Sequence, residues 1–296
     1  MAGVCVSARA GFGLEDSTNY AVLYEGSGKN VLQCDSGNIT GDIGIGAPSK
    51  ATTASLKLSS SASKTIINGN LYFDSEVNVS GKAGSDYEQK DGEIAGNKSS
   101  VSADLNYLNK LSASLGGEAG TAVAIDTGET GKQTIYAANG KLDGNGNRVF
   151  NVTDFSFGKN TTLTISGDPA GDSVVFNFSD DATFGGSITL AKGLSSDQVM
   201  FNFPGGSDLD EGVTLKINAN GGTEYGTFLN PNGQIIITNS VVQGRVFGGG
   251  SQDEDIESGC SVIAPNVVPT PVPEPEICAM IAMGIAGLWV ARWRRN

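Results

Sequence analysis

Residues 174–178, Val-Val-Phe-Asn-Phe, recur almost unchanged at 199–203 as Val-Met-Phe-Asn-Phe, 25 residues later. This spacing is typical of structural repeats that stack as coils. Because alternate residues of a strand point to opposite sides, Val174, Phe176 and Phe178 are expected to face the interior. Val175 and Asn177 would then face the other way. Asparagines at equivalent positions could form a ladder.

A shorter unit recurs along the chain: a β-branched residue, a second residue that is usually small and polar, a glycine and a polar residue. Its copies are Ile39-Thr40-Gly41-Asp42, Ile67-Asn68-Gly69-Asn70, Val79-Ser80-Gly81-Lys82, Ile165-Ser166-Gly167-Asp168 and Val242-Gln243-Gly244-Arg245. The pattern predicts a short strand with one inward side chain, followed by a glycine corner at positive φ. The 42 glycines and 7% aromatic content also favour many short strands. We therefore expect a mainly β fold, a β-solenoid.

One segment departs from the strand pattern. Residues 101–115 place Val101, Leu105, Leu108 and Leu115 near one side at helical spacing, with Leu111 widening that side. Ser99 or Ser100 can cap the start, and a glycine pair at 116–117 ends the pattern. The sequence predicts one α-helix packed along the β core.

Composition excludes several functions. The net charge of −13 makes nucleic acid a poor partner. The chain has no histidine, which removes Ser-His-Asp and Cys-His triads and histidine-containing zinc sites. Carboxylates are plentiful, but no pair stands out for acid/base catalysis. We expect a protein that is not an enzyme.

Neither acidic motif demands a metal cofactor. Asp253, Glu254, Asp255 and Glu257 could hold Ca²⁺, but they lack the alternating pattern of a calcium loop. Residues 143–147, Asp-Gly-Asn-Gly-Asn, are better explained as a hairpin turn. No cofactor is expected, and calcium stays open as an alternative.

Cysteines occur at 5, 34, 260 and 278, without metal-ligand spacing. Cys34 and Cys260 lie near the two ends of the patterned region. In an oxidising compartment they could form a disulfide if those ends meet; the alternative is two buried thiols.

The C-terminal part of the chain, residues 266–296, has three zones. A proline-rich linker at 266–276 precedes an apolar stretch from Ile277 to Ala291, and the basic cluster Arg292, Arg294 and Arg295 follows. An apolar helix of this length spans about 22 Å, short of the roughly 30 Å hydrocarbon core. Trp289 suits the interface, and the arginines would stay cytoplasmic. This composition favours a transient membrane anchor.

The motif Val272-Pro273-Glu274-Pro275, the short apolar helix and the arginine cluster together resemble the PEP-CTERM sorting signal of Gram-negative bacteria, here covering 272–296. The resemblance implies recognition by an exosortase, cleavage near the motif and transfer to the cell surface or extracellular polymer. The alternative is a plain C-terminal membrane helix. Residues 1–18 would be a leader remnant or N-terminal coil: they lack the apolar core of a signal peptide, although residues 8–10, Ala-Arg-Ala, have cleavage-site spacing.

The stretch 19–265 resembles the choice-of-anchor A domain, through NYAVLYEG at 19–26, ITGDIGIG at 39–46, LNYLNKLSASLGG at 105–117 and VVQGRVFGGGSQD at 241–253, among other segments. It is also similar to ice-binding β-solenoid proteins, which implies a discontinuous β-helix flanked by one helix. A single strand of threonines at 161–164 does not by itself predict an ice-binding surface. The sequence therefore predicts an exported, non-enzymatic surface or matrix protein for adhesion, biofilm or floc formation, with extracellular polysaccharide or other matrix components as partners. The alternatives are a secreted carbohydrate-active enzyme or a glycan- or ice-binding protein.

Overall fold

The computed structural model describes residues 12–26, 31–46, 55–59, 64–74, 78–81, 83, 85–91, 94–96, 99–128, 131–168, 171–204, 212–249, 254–257 and 259–265. These residues belong to one compact unit, Ala10–Pro265. The apolar stretch, the sorting motif and the basic cluster predicted at the C-terminus lie outside the described residues. Within the described ranges, none of the helices has the length and apolar character of a membrane span.

The N-terminal part of the chain forms ten strands. They are β1 (Tyr20–Glu25), β2 (Val31–Asp35), β3 (Asn38–Thr40), β4 (Asp42–Gly46), β5 (Ser55–Ser59), β6 (Thr65–Asn68), β7 (Leu71–Phe73), β8 (Asn78–Ser80), β9 (Tyr87–Asp91) and β10 (Ile94–Gly96). A 3₁₀ helix, Glu15–Asn19, precedes them.

The helix α1 (Ser99–Gly116) confirms the predicted helix and extends it at both ends. The strands that follow are β11 (Thr121–Gly128), β12 (Lys132–Tyr136), β13 (Lys141–Leu142), β14 (Asn147–Phe157), β15 (Thr162–Ser166), β16 (Ser173–Asn177), β17 (Ala182–Phe184), β18 (Ser187–Ala191), β19 (Val199–Asn202), β20 (Leu215–Ile217), β21 (Thr223–Asn230), β22 (Ile235–Ile237), β23 (Val241–Gly249), β24 (Glu254–Ile256) and β25 (Ser261–Ile263). Two further 3₁₀ helices are Ala137–Asn139 and Ser196–Gln198.

Apart from β13, which pairs antiparallel with β14, the strands stack in parallel as a three-faced β-solenoid, which confirms the predicted fold class. The first face runs from β11 through β14, β16, β19, β21, β23, β1 and β4 to β7 and β10. The second face contains β17, β20, β22, β24, β2, β5 and β8. The third face contains β12, β15, β18, the N-terminal parts of β21 and β23, then β25, β3, β6 and β9.

The coils do not stack in chain order. From β1 the chain climbs to β10, α1 then crosses back over β4, β1, β21, β19 and β16, and β11 starts the solenoid from its other end. The coils from β11 to β25 return until β23, β24 and β25 pair with β1, β2 and β3. The β-helix is therefore discontinuous, with a seam between the last coil and the first.

The interior is a stack of aromatic rings. Phe150, Phe176, Phe201 and Phe228 are in register on adjacent strands, with centroids 5.2, 5.5 and 4.9 Å apart. The predicted inward orientation of Val174 and Phe176 is confirmed, since both belong to the interior cluster whereas Val175 packs beneath α1. Stacked rings of this kind contribute about 0.5–1.5 kcal/mol per pair beyond their buried area.

The predicted asparagine ladder is present and holds α1. Asn202 Nδ2 donates to Asn177 Oδ1 (2.8 Å) and to the Ser112 carbonyl of the helix (3.0 Å). Asn177 Nδ2 donates to the Leu115 carbonyl (2.8 Å) and to Asn151 Oδ1 (3.3 Å). The ladder thus binds two carbonyls near the C-terminal end of the helix, and that of Leu115 is among the last four, which have no i+4 partner within the helix.

The prediction of positive φ at the glycine corners is correct at Gly41 (120°) and Gly81 (122°) and wrong at Gly69, Gly167 and Gly244. At Gly69 and Gly244 the requirement is close packing of neighbouring coils. A Cβ at Gly69 would lie 2.3 Å from the Gly41 carbonyl oxygen, and one at Gly244 would lie 1.8 Å from that of Gly226. Glycine is therefore needed there because adjacent backbones touch.

The N-terminal segment packs onto the solenoid. Phe12 and Leu14 are buried against α1, and the Tyr107 hydroxyl donates to the Gly13 carbonyl. Arg245, which is fully buried, donates to the Thr18 carbonyl from Nε (3.1 Å) and Nη2 (2.8 Å). Packing of the domain therefore begins before residue 19, where the sequence placed its start.

Candidate functional site

The three faces differ in what they expose. The first face is covered by α1, since Leu23, Met200, Leu229 and Phe247 form one cluster with the apolar side of the helix. The second and third faces are not covered by α1. These two faces are therefore compared as candidate contact surfaces.

The second face carries charge along its middle. Its central outward positions are in register from β8 to β17, as Ser80, Lys57, Gln33, Asp255, Ile236, Lys216 and Thr183. Lys57 Nζ donates to Gln33 Oε1 at 3.0 Å. Alternating charges of this kind are typical of a hydrated surface.

The third face carries two rows of outward side chains, and neither is charged from β15 to β6. We name the rows by their members. The first row is Thr162, Ser187, Thr223, Val241, Ser261, Asn38 and Ile66; the second row is Thr164, Thr189, Tyr225, Gln243, Ile263, Thr40 and Asn68. Lys132 on β12 and Glu88 on β9 extend the first row at its two ends. The face is thus a surface of hydroxyls, amides and a few apolar side chains with charges only at its margins, and its rows are in register within β15–β18 and within β21–β6.

Strand geometry makes this patch regular. Neighbouring strands lie about 4.8 Å apart, and outward residues on one strand lie about 6.6 Å apart. Buried partners beneath the rows, such as Leu163, Ile188 and Val262, fix the alternation. The outward groups are therefore held on a repeating lattice at little further cost in conformational entropy.

The threonine strand is part of this lattice. Thr162 and Thr164 point outward, whereas Thr161 is buried and its hydroxyl bonds to Thr127 (2.8 Å). Thr134 and Thr189 stand in register on either side of Thr164, and the Thr164 and Thr189 hydroxyls lie 3.0 Å apart. The array thus occupies three strands rather than the single strand visible in the sequence.

Chemically, the third face offers contact rather than catalysis. Glycoside hydrolysis needs two carboxyl groups flanking the bond to be cleaved, and neither row contains a carboxylate. Among the described residues, no three His, Cys, Asp or Glu side chains are placed to hold a metal ion.

The acidic segment at 253–257 does not form a calcium site in the part of it that is described. Glu254 points into the core with no exposed surface, Asp255 points outward on the second face, and Glu257 is exposed at the corner. Because adjacent residues of a strand face opposite sides, Glu254 and Asp255 cannot converge on one ion. Asp253 lies outside the described residues.

The predicted turn at 143–147 is confirmed. It joins β13 to β14 as an antiparallel hairpin. Asp143 Oδ1 accepts the Asn145 and Asn147 N–H groups at 2.8 and 2.7 Å. Backbone donors therefore occupy the carboxylate, and the turn requires no ion.

The candidate disulfide is not formed in the structure. The two ends of the patterned region do meet, as a disulfide would require, because Cys34 on β2 and Cys260 before β25 lie on the adjacent coils of the seam. Both are nevertheless buried free thiols. The Cys260 thiol donates to the Ile237 carbonyl at 3.1 Å, and Cys34 is enclosed in the core, where burial raises the pKa of its thiol.

Comparison with known proteins identifies the family to which this domain belongs. Residues 10–254 match the ice-binding-like adhesive domain family, so the chain belongs to that family of adhesive domains. Such domains are non-enzymatic as a rule, and they are secreted or exposed at the surface.

Two solved structures show the same architecture. An ice-binding protein from the Antarctic ascomycete Antarctomyces psychrotrophicus is 14% identical, with a TM-score of 0.51 over 86% of this chain and 98% of that chain. An ice-binding protein from an Arctic yeast is 16% identical, with a TM-score of 0.51 over 90% of this chain and 99% of that chain. At these identities the likeness establishes the fold alone. No curated protein matches the chain significantly.

Proposed function

We propose that this chain is an exported, non-enzymatic surface protein that adheres through its third face to extracellular polysaccharide or another matrix component. The single observation that carries the proposal is the uncharged lattice from β15 to β6 on a chain whose net charge is −13. Membership of an adhesive domain family supports it.

Charge distribution supports the choice of face. Burying a charged side chain against a partner costs several kcal/mol unless it finds an opposite charge. The second face would bury Lys57, Lys216 and Asp255 in any flat contact, whereas the third face would bury hydroxyls, amides and apolar groups. The third face therefore makes the less costly contact surface.

The test is a matched pair of substitutions. Thr189→Lys puts a charge at an exposed position in the second row of the third face, and Thr183→Lys makes the same exchange at an exposed position of the second face. In the assay, cells carrying the full chain are passed over a film of their own extracellular polysaccharide, and the fraction retained under flow is measured. We expect T189K to weaken binding at least about tenfold and T183K to leave it unchanged. Equal retention of both variants would reject the third face as the adhesive surface.

Ice is a second candidate ligand, favoured by one observation: Thr134, Thr164 and Thr189 form an in-register row of threonines. The full chain in mild detergent would then produce thermal hysteresis, and Thr164→Lys would abolish it. Retention on polysaccharide without hysteresis would select the matrix function.

We infer from its sequence that the tail is a PEP-CTERM signal processed by an exosortase after export from a Gram-negative cell. The order of Val272-Pro273-Glu274-Pro275, apolar segment and arginines supports this. Intact-mass measurement of the protein from cells with and without exosortase tests it. Processing predicts loss of Trp293 in the first case only, and a mature wild-type form that retains Trp293 would contradict the proposal.

A further inference from the structure

A cleft of about 220 Å³ lies away from the third face, at the corner between the first and second faces. It forms where β14 passes from one face to the other, beside the loop from β16 to β17. The residues that line it are Val152, Thr153, Asp154, Phe155, Phe178, Ser179, Asp180 and Asp181. The cleft is smaller than the 300–1,000 Å³ typical of drug-sized ligands, which limits it to one small ring.

The floor of the cleft is aromatic and rigid. Phe155 is only partly buried, and its ring centroid lies 5.2 Å from that of Phe178 and 4.9 Å from that of Phe184. Phe178 in turn stacks on Phe203 at 4.6 Å. Phe155, a partly exposed ring packed against the buried rings of Phe178 and Phe184, offers the cleft an apolar surface. The C–H face of a pyranose ring is a chemical match for such a surface.

The rim of the cleft is polar and well positioned. Asp181 Oδ1 accepts the Thr214 N–H at 2.6 Å, and the Ser179 hydroxyl donates to Asp180 Oδ2 at 2.9 Å. Asp154 lies exposed on the opposite wall. Carboxylates and hydroxyls accept hydrogen bonds from sugar hydroxyls, and ionised acceptors form the stronger bonds.

The same rim excludes other ligands. The described residues that line it include no Lys or Arg, so uronic acids and sulfated sugars would be repelled. The three carboxylates do not converge as a metal site, since the described residues contain no group of three metal-ligating side chains suitably placed. The remaining class that suits both the floor and the rim is a sugar without acidic groups.

We propose that this cleft binds a single non-acidic pyranose unit of a glycan, which stacks on Phe155 and donates hydroxyl hydrogen bonds to Asp154 and Asp180. An amino sugar would bind more tightly than a neutral one, because its ammonium group pairs with a carboxylate. The site is independent of the third face, so the two proposals fail or succeed separately.

The full chain in mild detergent is titrated separately with the soluble trisaccharides of glucose, glucosamine and galacturonic acid. Calorimetry measures binding, and mass spectrometry detects any cleavage of the sugar. The variants are Asp180→Asn, on the exposed rim, and Phe155→Leu, with thermal unfolding measured for each. Asp16→Asn, an exposed aspartate of the N-terminal 3₁₀ helix, is the matched control.

We expect the glucosamine trimer to bind more tightly than the glucose trimer and the galacturonate trimer not to bind. D180N and F155L should each weaken binding at least about fivefold, roughly 1 kcal/mol, with D16N unchanged. Three results would each overturn the proposal: no binding of any sugar at 20 mM ligand (roughly −2 kcal/mol), equal binding to D180N and wild type, or displacement of the sugar by tetramethylammonium at the same concentration. Cleavage of a trisaccharide would replace binding by catalysis and overturn it as well.

Discussion

Replacing Glu254 by methionine should stabilise the protein, increasingly so as the pH rises. Glu254 is fully buried at the seam, and neither carboxyl oxygen has a hydrogen-bond partner among the described residues. Burial raises the pKa of this carboxyl well above its usual range, and the nearby Asp255 raises it further. Methionine has a similar length and removes the polar group, so the unsatisfied atoms, which cost about 1–3 kcal/mol, disappear.

The pH dependence follows from linkage. The folded state holds the proton on Glu254 after the unfolded state has released its own, so the unfolding free energy falls by about 1.4 kcal/mol per pH unit between the two pKa values. This contribution to stability is complete below the unfolded-state pKa and is lost as the pH rises towards the folded-state pKa. Glu224, whose carboxyl is also buried with a raised pKa, adds a second such slope that E254M leaves in place.

Thermal unfolding of the full chain, followed by circular dichroism between pH 5 and pH 8 (roughly the range of maximal stability for most proteins), tests this reasoning. The melting temperature of E254M should exceed that of the wild type, and the gap should widen by about 3–6 °C per pH unit. Glu257→Gln, at an exposed carboxylate next to the same strand, should change little. Parallel curves for E254M and wild type would refute the claim that Glu254 is protonated in the folded core.

Three further outcomes are expected. Asn202→Ala breaks the asparagine ladder beneath α1 and should lower the free energy of unfolding by about 2–4 kcal/mol. Amide hydrogen exchange in the helix, measured by mass spectrometry, should become faster. Asn106→Ala, on the exposed side of α1, should change neither quantity. Arg245→Met removes the buried guanidinium that joins the N-terminal segment to the last coil through two hydrogen bonds to the Thr18 carbonyl. It should lower the free energy of unfolding by about 3–5 kcal/mol. Limited proteolysis should detect early release of the N-terminal segment. Cys34 and Cys260 should resist alkylation at pH 8 in the folded chain and react in denaturant, because burial raises the pKa of both thiols. Peptide mapping measures the alkylation. A Cys34–Cys260 peptide in non-reduced digests would contradict the free-thiol structure.

Local periodicity predicted much of the fold. The repeat at 174–178 and 199–203 placed Phe176 and Phe201 in the interior and their asparagines on the outer side, and the structure confirms both. The helix, predicted over 101–115 and observed over 99–116, and the hairpin at 143–147 were also visible in sequence. These features depend on a few consecutive residues, because the alternation of a strand and the period of a helix are set by backbone geometry.

The inward orientation of Glu254 could also have been predicted from the sequence. Ile256 is two residues away and must point the same way in a strand, so an inward Ile256 places Glu254 inward as well. Treating residues 253–257 as one acidic cluster ignored that alternation.

The sequence by itself determined the strand and helix periods, the inward residues of each strand and the tail that predicts export. Only the tertiary structure decided which coils are neighbours: β1 lies between β23 and β4, although more than 200 residues separate the first pair in the chain. It also decided the third face, whose rows join Gln243 to Ile263 and, across the seam, Ile263 to Thr40. The physical reason is that register between coils depends on packing and hydrogen bonds formed between distant segments. The alternation along one strand does not specify which distant segment of the chain lies beside it.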